Sequence, residues 1–220
     1  MTTPSSPTPK RDAIRHSIDP VARAMARVGL TANRLTLIGF GIAALGGVFA
    51  ALGLWLVAGI VATGGAAFDM FDGAVARVTG TTSKLGAFLD STFDRWGETV
   101  GYLGIVIGCT QAGFAVGAWL AAACMGQAFM VSYTRARAES LGFSSGRGMA
   151  AVGLAPREVR VAILGVGLVG AGLAGGVAMT PDPSTGALIL GAALGIIAVL
   201  AAITTVQRIL FVVRQADAGR

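Results

Sequence analysis

Two long runs without a single charge set the first limits on this chain. Residues 35–68 and 99–134 contain no Asp, Glu, Lys or Arg. As one helix, the 34 residues of the first run would extend about 51 Å, against a bilayer hydrocarbon core of about 30 Å. Each run is therefore too long for one crossing and must turn once. Gly53, Trp55 and Gly59 mark the turn in the first run, with Trp55 expected at the membrane–water interface. Thr110-Gln111-Ala112-Gly113 marks it in the second. Two further uncharged runs, 161–181 and 183–207, are each about one span long and are separated by the turn-forming residues 180–185. The prediction is an all-α polytopic membrane protein with six transmembrane helices, near 35–56, 58–79, 84–110, 113–139, 157–179 and 186–213. Composition agrees. Of the 220 residues 54% are apolar and 13% are charged, whereas soluble domains carry about 25% charge. The 33 glycines suit closely packed transmembrane helices. A soluble, disordered or fibrous chain is excluded.

The charges fix an orientation. Lys10, Arg11, Arg15, Arg23, Arg27 and Arg34 precede the first helix, and Arg77, Lys84 and Arg95 flank the connection between helices 2 and 3. Arg135, Arg137, Arg147, Arg157 and Arg160 flank the connection between helices 4 and 5, and Arg208, Arg214 and Arg220 end the chain. All 17 basic residues thus fall on one side of the six-helix arrangement. The positive-inside rule places that side, and both termini, in the cytosol of a cell membrane. The asymmetry accounts for the +6 net charge without nucleic acid, because no base-stacking aromatics sit among the arginines. Anionic head groups and phosphorylated substrates are the expected partners.

Residues 1–12 read as a disordered tail, with Pro, Ser and Thr concentrated in the first nine, and no cleavable signal peptide is visible. Over 13–30, the stripe Ile14, Ile18, Val21, Met25 and Val28 leaves Arg15, Arg23 and Arg27 on other faces, and Asp19-Pro20 resembles a helix start. This predicts an amphipathic interfacial helix on the cytosolic membrane surface, preferred over a helix docked on a soluble partner. Residues 31–220 form the membrane domain. Cys109 and Cys124 read as buried small hydrophobes, and His16 as a solvated or interfacial side chain.

Four of the 11 acidic residues, Asp69, Asp72, Asp90 and Asp94, fall at or near membrane depth within 26 positions. A carboxylate at a helix centre costs at least about 2.5–3.5 kcal/mol, and Arg77 and Arg95 cannot neutralise all four. Asp69 and Asp72 share one face of helix 2, and Asp90 and Asp94 one face of helix 3. Brought together they would repel one another, and divalent cations relieve that repulsion. Oxygen-only ligands favour Mg²⁺ or Mn²⁺, and four carboxylates suit two ions for displacement at phosphorus. Gly73 and Gly86 open space beside the cluster, Ala76 keeps the next turn narrow, and Arg77 offers forked donors suited to a diphosphate.

The string Asp69-x2-Asp72-Gly73-x2-Ala76-Arg77-x8-Gly86-x3-Asp90-x3-Asp94 resembles the signature of the CDP-alcohol phosphotransferases at every fixed position. The resemblance covers the whole chain: a surface helix, six transmembrane helices and a polar cavity open to the cytosol. It implies a homodimeric enzyme that transfers a substituted phosphate from a CDP-linked donor to an alcohol and releases CMP. By that resemblance Asp69, Asp72 and Asp90 bind two Mg²⁺, and Asp94 is the general base and also a metal ligand. Gly73, Ala76, Arg77 and Gly86 form the side that takes the CDP donor. Asn33 and Thr36 resemble the family's Thr-Pro-Asn-x-x-Thr segment, with Ala32 in place of proline, and Ser83 occupies a position where the family places a hydroxyl near the nucleotide.

The acceptor is read from the second half. Ser132-Tyr133-Thr134-Arg135-Ala136-Arg137-Ala138-Glu139 and Val206-Gln207-Arg208 resemble segments of the bacterial phosphatidylinositol phosphate synthases, which hold the phosphate of inositol phosphate with three basic residues. Arg135 and Arg208 match two of them. Pro156-Arg157-Glu158 stands where that subfamily has Pro-Glu-Arg, so Arg157 and Arg160 compete for the third place. The chemistry points the same way, since arginines at membrane depth on helices 4, 5 and 6 need an anion. The expected activity is transfer of the phosphatidyl group from CDP-diacylglycerol to inositol 1-phosphate, with glycerol 3-phosphate as the alternative acceptor. Positive-inside topology accounts for Arg137, Arg147 and Arg214.

Two rival classes are weaker. An ion-coupled transporter would repeat its intramembrane acids, and helices 5 and 6 hold no echo of the four aspartates. A noncatalytic lipid scaffold would not need a metal cluster. Gly165-Val166-Gly167-Leu168-Val169-Gly170 fits a dinucleotide-binding pattern but lies inside a span, so it reads as helix packing, as do Gly104/Gly108, Gly113/Gly117 and Gly172/Gly176.

Overall fold

The computed structural model describes residues 19–143 and 152–218, apart from the side chains of Ala67, Asp69, Met70 and Ala218. The readings made for the N-terminal tail, Ile14, Ile18, His16, Arg147 and Arg220 lie outside the described residues. After helix α1, residues 19–27, come α2 (Ala32–Ala51), α3 (Trp55–Val78), α4 (Lys84–Gln111), α5 (Ala115–Ser140), α6 (Arg157–Leu173) and α7 (Thr185–Ala218). A two-residue hairpin, β1 (Met179–Thr180) against β2 (Asp182–Pro183), precedes α7.

Local sequence explains the boundaries. Thr31 and Ser83 cap α2 and α4 by accepting hydrogen bonds from the Arg34 and Gly86 backbone N–H groups. Both expected turns inside the uncharged runs are present, and each is closed by a glycine at φ +73°, Gly53 and Gly113. The sequence expectation fails at α6. This helix ends at Leu173, well before residue 179, because Gly175 and Gly176 take φ near +90° and turn the chain into the hairpin. Trp55 begins α3 beside the first of these turns. It is 3% exposed and packs in the core between Gly108 and Gly176.

The principal helix contacts are α2–α3, α3–α6, α6–α7, α7–α5, α5–α4 and α4–α2, which close into a ring of six. Gly47 and Gly104 let α2 and α4 approach, since a Cβ on Gly104 would collide with the Gly47 carbonyl. Cβ atoms at Gly165, Gly167 and Gly170 would press on Thr63, Ala193 and Ile189, so that glycine pattern serves helix packing. Leu45, Val48, Ile60, Leu103, Ile107, Val166 and Val199 point outward, the polarity expected of a bundle in lipid. Four helices, α2, α3, α5 and α7, are long and apolar enough to cross a membrane.

Helix α1 packs on α2 and α3 through Ala22, Met25 and Ala26. Val21 and Val28, expected to share one stripe with Met25, are exposed. Helix α1 therefore packs on the bundle through one face and keeps Val21 on another.

Candidate active site

The buried charged and aliphatic hydroxyl side chains among the described residues lie toward the same end of the ring: Thr36, Asp72, Arg160, Thr204, Thr205 and Arg208. The start of α2, the end of α3 and the start of α4 enclose a cavity of about 230 Å³ there. Asn33, Thr36, Gly73, Ala76, Arg77, Ser83 and Gly86 all line it, together with Asp72 and Asp90. All seven residues expected to take a CDP donor thus meet in one place. Thr81 and Thr82 join them from the α3–α4 connection, and nothing in their spacing had singled them out. The buried Asp72 is oriented from two sides. The Thr36 hydroxyl donates to its Oδ2 at 2.9 Å, and the Gly73 N–H donates to its Oδ1. A Cβ on Gly86 would press on Ser83 Oγ at 3.2 Å, and one on Gly73 on Arg77 Nη1 at 3.3 Å, so both glycines keep the cavity open.

A second, larger cavity of about 680 Å³ shares Asp90 with the first. Asp94, Ser132, Arg135, Arg157, Arg160 and Arg208 line it, so the arginines expected on three helices do converge beside the aspartates. Their surroundings differ. Arg157 Nη2 pairs with Asp94 Oδ1 at 3.1 Å, and Arg95 reaches the other oxygen of Asp94 at 3.6 Å. Arg135 is partly exposed and pairs with Glu139 at 3.0 Å. Arg160 is 1% exposed. Its Nη2 lies 2.8 Å from both carboxylate oxygens of Glu98, and its Nη1 donates to the Ala155 carbonyl at 2.9 Å. Arg208 donates to the carbonyls of Val152, at 3.0 Å, and Val131.

Glu98 is the residue that sequence reasoning missed. It stands four positions after Asp94, and Asp94 four after Asp90, so the three fall on one face of α4. That spacing was the available signal. Asp69 lies one turn before Asp72 on α3, and its side chain is not described. From Thr36, Asp94 and Arg157 a narrow apolar crevice runs down between α2, α3, α4 and α6, past Ala43, Gly46 and Leu164 to Ala50, Ile105 and Leu168. Small residues on α2 and α3 leave this track open beside the polar site.

Asp72, Asp90 and Asp94 thus stand between a cleft and a cationic cavity at one end of a six-helix ring, an arrangement suited to a membrane-embedded transferase acting at phosphorus. The CDP-alcohol phosphatidyltransferase family matches residues 29–213, and the chain belongs to it. It is an enzyme of phospholipid biosynthesis. An archaetidylinositol phosphate synthase from Methanothermobacter thermautotrophicus is 36% identical over 202 residues, which cover 92% of this chain and 91% of that protein. A phosphatidylinositol phosphate synthase from Cutibacterium acnes is 33% identical over 212 residues, 91% of this chain and 94% of the relative. The crystal structure of the Mycobacterium tuberculosis phosphatidylinositol phosphate synthase PgsA1 with CDP-DAG bound superposes with a TM-score of 0.75 at 27% identity, covering 89% of this chain and 92% of that one. Another crystal structure of PgsA1, in complex with manganese and citrate, also has a TM-score of 0.75.

Proposed function

We propose that this enzyme transfers the phosphatidyl group of CDP-diacylglycerol to inositol 1-phosphate, yielding phosphatidylinositol phosphate and CMP. The observation that carries the reading is the junction at Asp90, where the cleft of expected donor residues meets the cavity lined by Arg135, Arg157 and Arg208. Relatives named for inositol phosphate lipids support the acceptor assignment.

In this reading Asn33, Thr36, Gly73, Ala76, Arg77, Ser83 and Gly86 bind and orient the CDP moiety. The acceptor hydroxyl oxygen forms a bond to the β-phosphorus, the bond from that phosphorus to the bridging oxygen breaks, and CMP leaves with the electron pair. Asp94 takes the hydroxyl proton. Asp69, Asp72, Asp90 and Asp94 offer only oxygen ligands, a set that fits two Mg²⁺ or Mn²⁺ ions. The bonds from Thr36 and Gly73 that fix the Asp72 carboxylate are the kind that orient a metal ligand. When bound, such ions neutralise charge on the diphosphate and on the leaving CMP. Arg135, Arg157 and Arg208 hold the acceptor phosphate. The bidentate pairing of Arg160 with Glu98 favours Arg157 over Arg160 for the third place.

All six helices α2–α7 span the membrane in this reading, with both termini and the active site in the cytosol. Its support is the charge distribution: the connections at the far end, near residues 52–54, 112–114 and 174–184, carry one charged residue, Asp182. Assembly as a homodimer rests on the family resemblance alone. The exposed Val21 and Val28 suit helix α1 to the membrane surface. The test presents purified enzyme, CDP-diacylglycerol and Mg²⁺ with inositol 1-phosphate, glycerol 3-phosphate, inositol and serine in parallel, reading CMP release. Turnover is expected with inositol 1-phosphate. Efficient turnover of inositol or serine defeats the phosphate cavity, and preference for glycerol 3-phosphate moves the enzyme to that acceptor.

A further inference from the structure

We infer that Thr204, which touches neither proposed substrate cavity, is a positioning residue that sets the place of the acceptor-phosphate arginines. The inference rests on the acceptor reading above. Residues 152–156 lead into α6, and this strap has no helix or strand to satisfy its backbone. Side chains do it instead. Thr204 Oγ1 accepts the N–H groups of Leu154 at 3.1 Å and Ala155 at 2.9 Å, and donates to the Leu200 carbonyl at 2.8 Å. Arg208, one turn later on α7, donates to the Val152 carbonyl, and Arg160 donates to the Ala155 carbonyl. The two surfaces are fitted to each other. Gly153 has φ +123°, and a Cβ there would collide with the Thr204 methyl group.

Thr204 and Ala155 are both fully buried, so the Ala155 N–H has no ready substitute once the Thr204 oxygen is gone, and the Leu154 N–H loses the bond that holds it beside α7. The strap ends at Pro156, and Arg157 follows as the first residue of α6. A strap that loses its pin therefore shifts Arg157, which lines the acceptor cavity, and the Val152 carbonyl that orients Arg208. The CDP cleft is built from α2, α3 and α4 and shares no residue with this arrangement.

Thr204→Val keeps the shape and removes the oxygen, whereas Thr204→Ser keeps the oxygen and removes the methyl group. In purified full-length enzyme, Thr204→Val is expected to raise the acceptor KM about tenfold, the effect of one poorly replaced hydrogen bond. The KM for CDP-diacylglycerol should stay within about twofold of the wild type on the same scale, and Thr204→Ser should restore the acceptor KM. Hydrogen exchange at the Leu154 and Ala155 amides, expected to quicken in Thr204→Val alone, reads the pin without turnover. Unchanged amide exchange in Thr204→Val overturns the hydrogen-bonding role. Faster exchange with an unchanged acceptor KM, or equal rises in both KM values, overturns the positioning role. A wild-type enzyme that ignores phosphorylated acceptors defeats the acceptor reading instead, and the exchange measurement still decides whether Thr204 pins the strap.

Discussion

Removing the charge of Glu98 by Glu98→Gln should destabilise this enzyme more than any single change in its exposed charges. Arg160 is 1% exposed, and Glu98 accepts from its Nε at 3.2 Å and from its Nη2 at 2.8 Å to each carboxylate oxygen. Breaking a buried pair from one side leaves an uncompensated charge and costs about 3–5 kcal/mol. At about 2–4 °C per kcal/mol for a chain of this size, the Tm in detergent should fall by about 6–20 °C. Arg160→Met alone should fall comparably, because it strands the Glu98 carboxylate. The double variant Glu98→Gln/Arg160→Met should recover most of the loss, since neither charge remains. Thermal unfolding of the four proteins completes the cycle. Single variants within about 1 kcal/mol of the wild type, or losses that simply add in the double variant, would refute the reasoning. The double variant also isolates the role of Arg160. A wild-type acceptor KM in a folded double variant makes Arg160 structural; a rise of ten- to a hundredfold, about 1.4–2.8 kcal/mol, with unchanged amide exchange at Leu154 and Ala155 makes it an acceptor ligand after all, whereas the same rise with faster exchange traces to the lost bond to the Ala155 carbonyl.

Asp90→Asn should abolish Mg²⁺-dependent turnover in a protein that still folds, and Asp94→Asn should lower kcat by about 10²–10⁴ with donor binding retained. CMP release and equilibrium binding of the CDP donor check both, and near-normal turnover in either variant would count against the assigned roles. Arg157→Ala and Arg135→Ala should each raise the acceptor KM about ten- to a hundredfold while leaving the donor KM near the wild type, because each charge-assisted contact to a phosphate is worth about 1.5–3 kcal/mol. Steady-state kinetics with both substrates varied separates these effects, and a matching rise in the donor KM would place these arginines at the diphosphate.

Much of this protein is written in one dimension. Charge and hydropathy in a bilayer act residue by residue, so uncharged runs, glycine turns and the positions of 17 basic residues delimit helices without any contact being known. The aspartate string is equally local, because residues three or four apart on a helix share a face whatever packs against it. Gathering Asn33 and Thr36 of α2, Gly73 and Arg77 of α3, and Ser83 and Gly86 at the start of α4 around one cleft is a tertiary matter, although the resemblance had grouped them. The fates of Trp55 and of the arginines were not legible, since they depend on what stands opposite. Trp55 is covered by glycine faces that come from α4 and the hairpin connection. Arg160 meets a glutamate 62 positions away. Arg208 and Thr204 secure a strap that lies about 50 residues upstream in sequence. Spacing along a helix tells which side chains travel together, but a buried charge or hydroxyl takes its role from the partner that folding brings to it, and only the closed ring of helices supplies that partner.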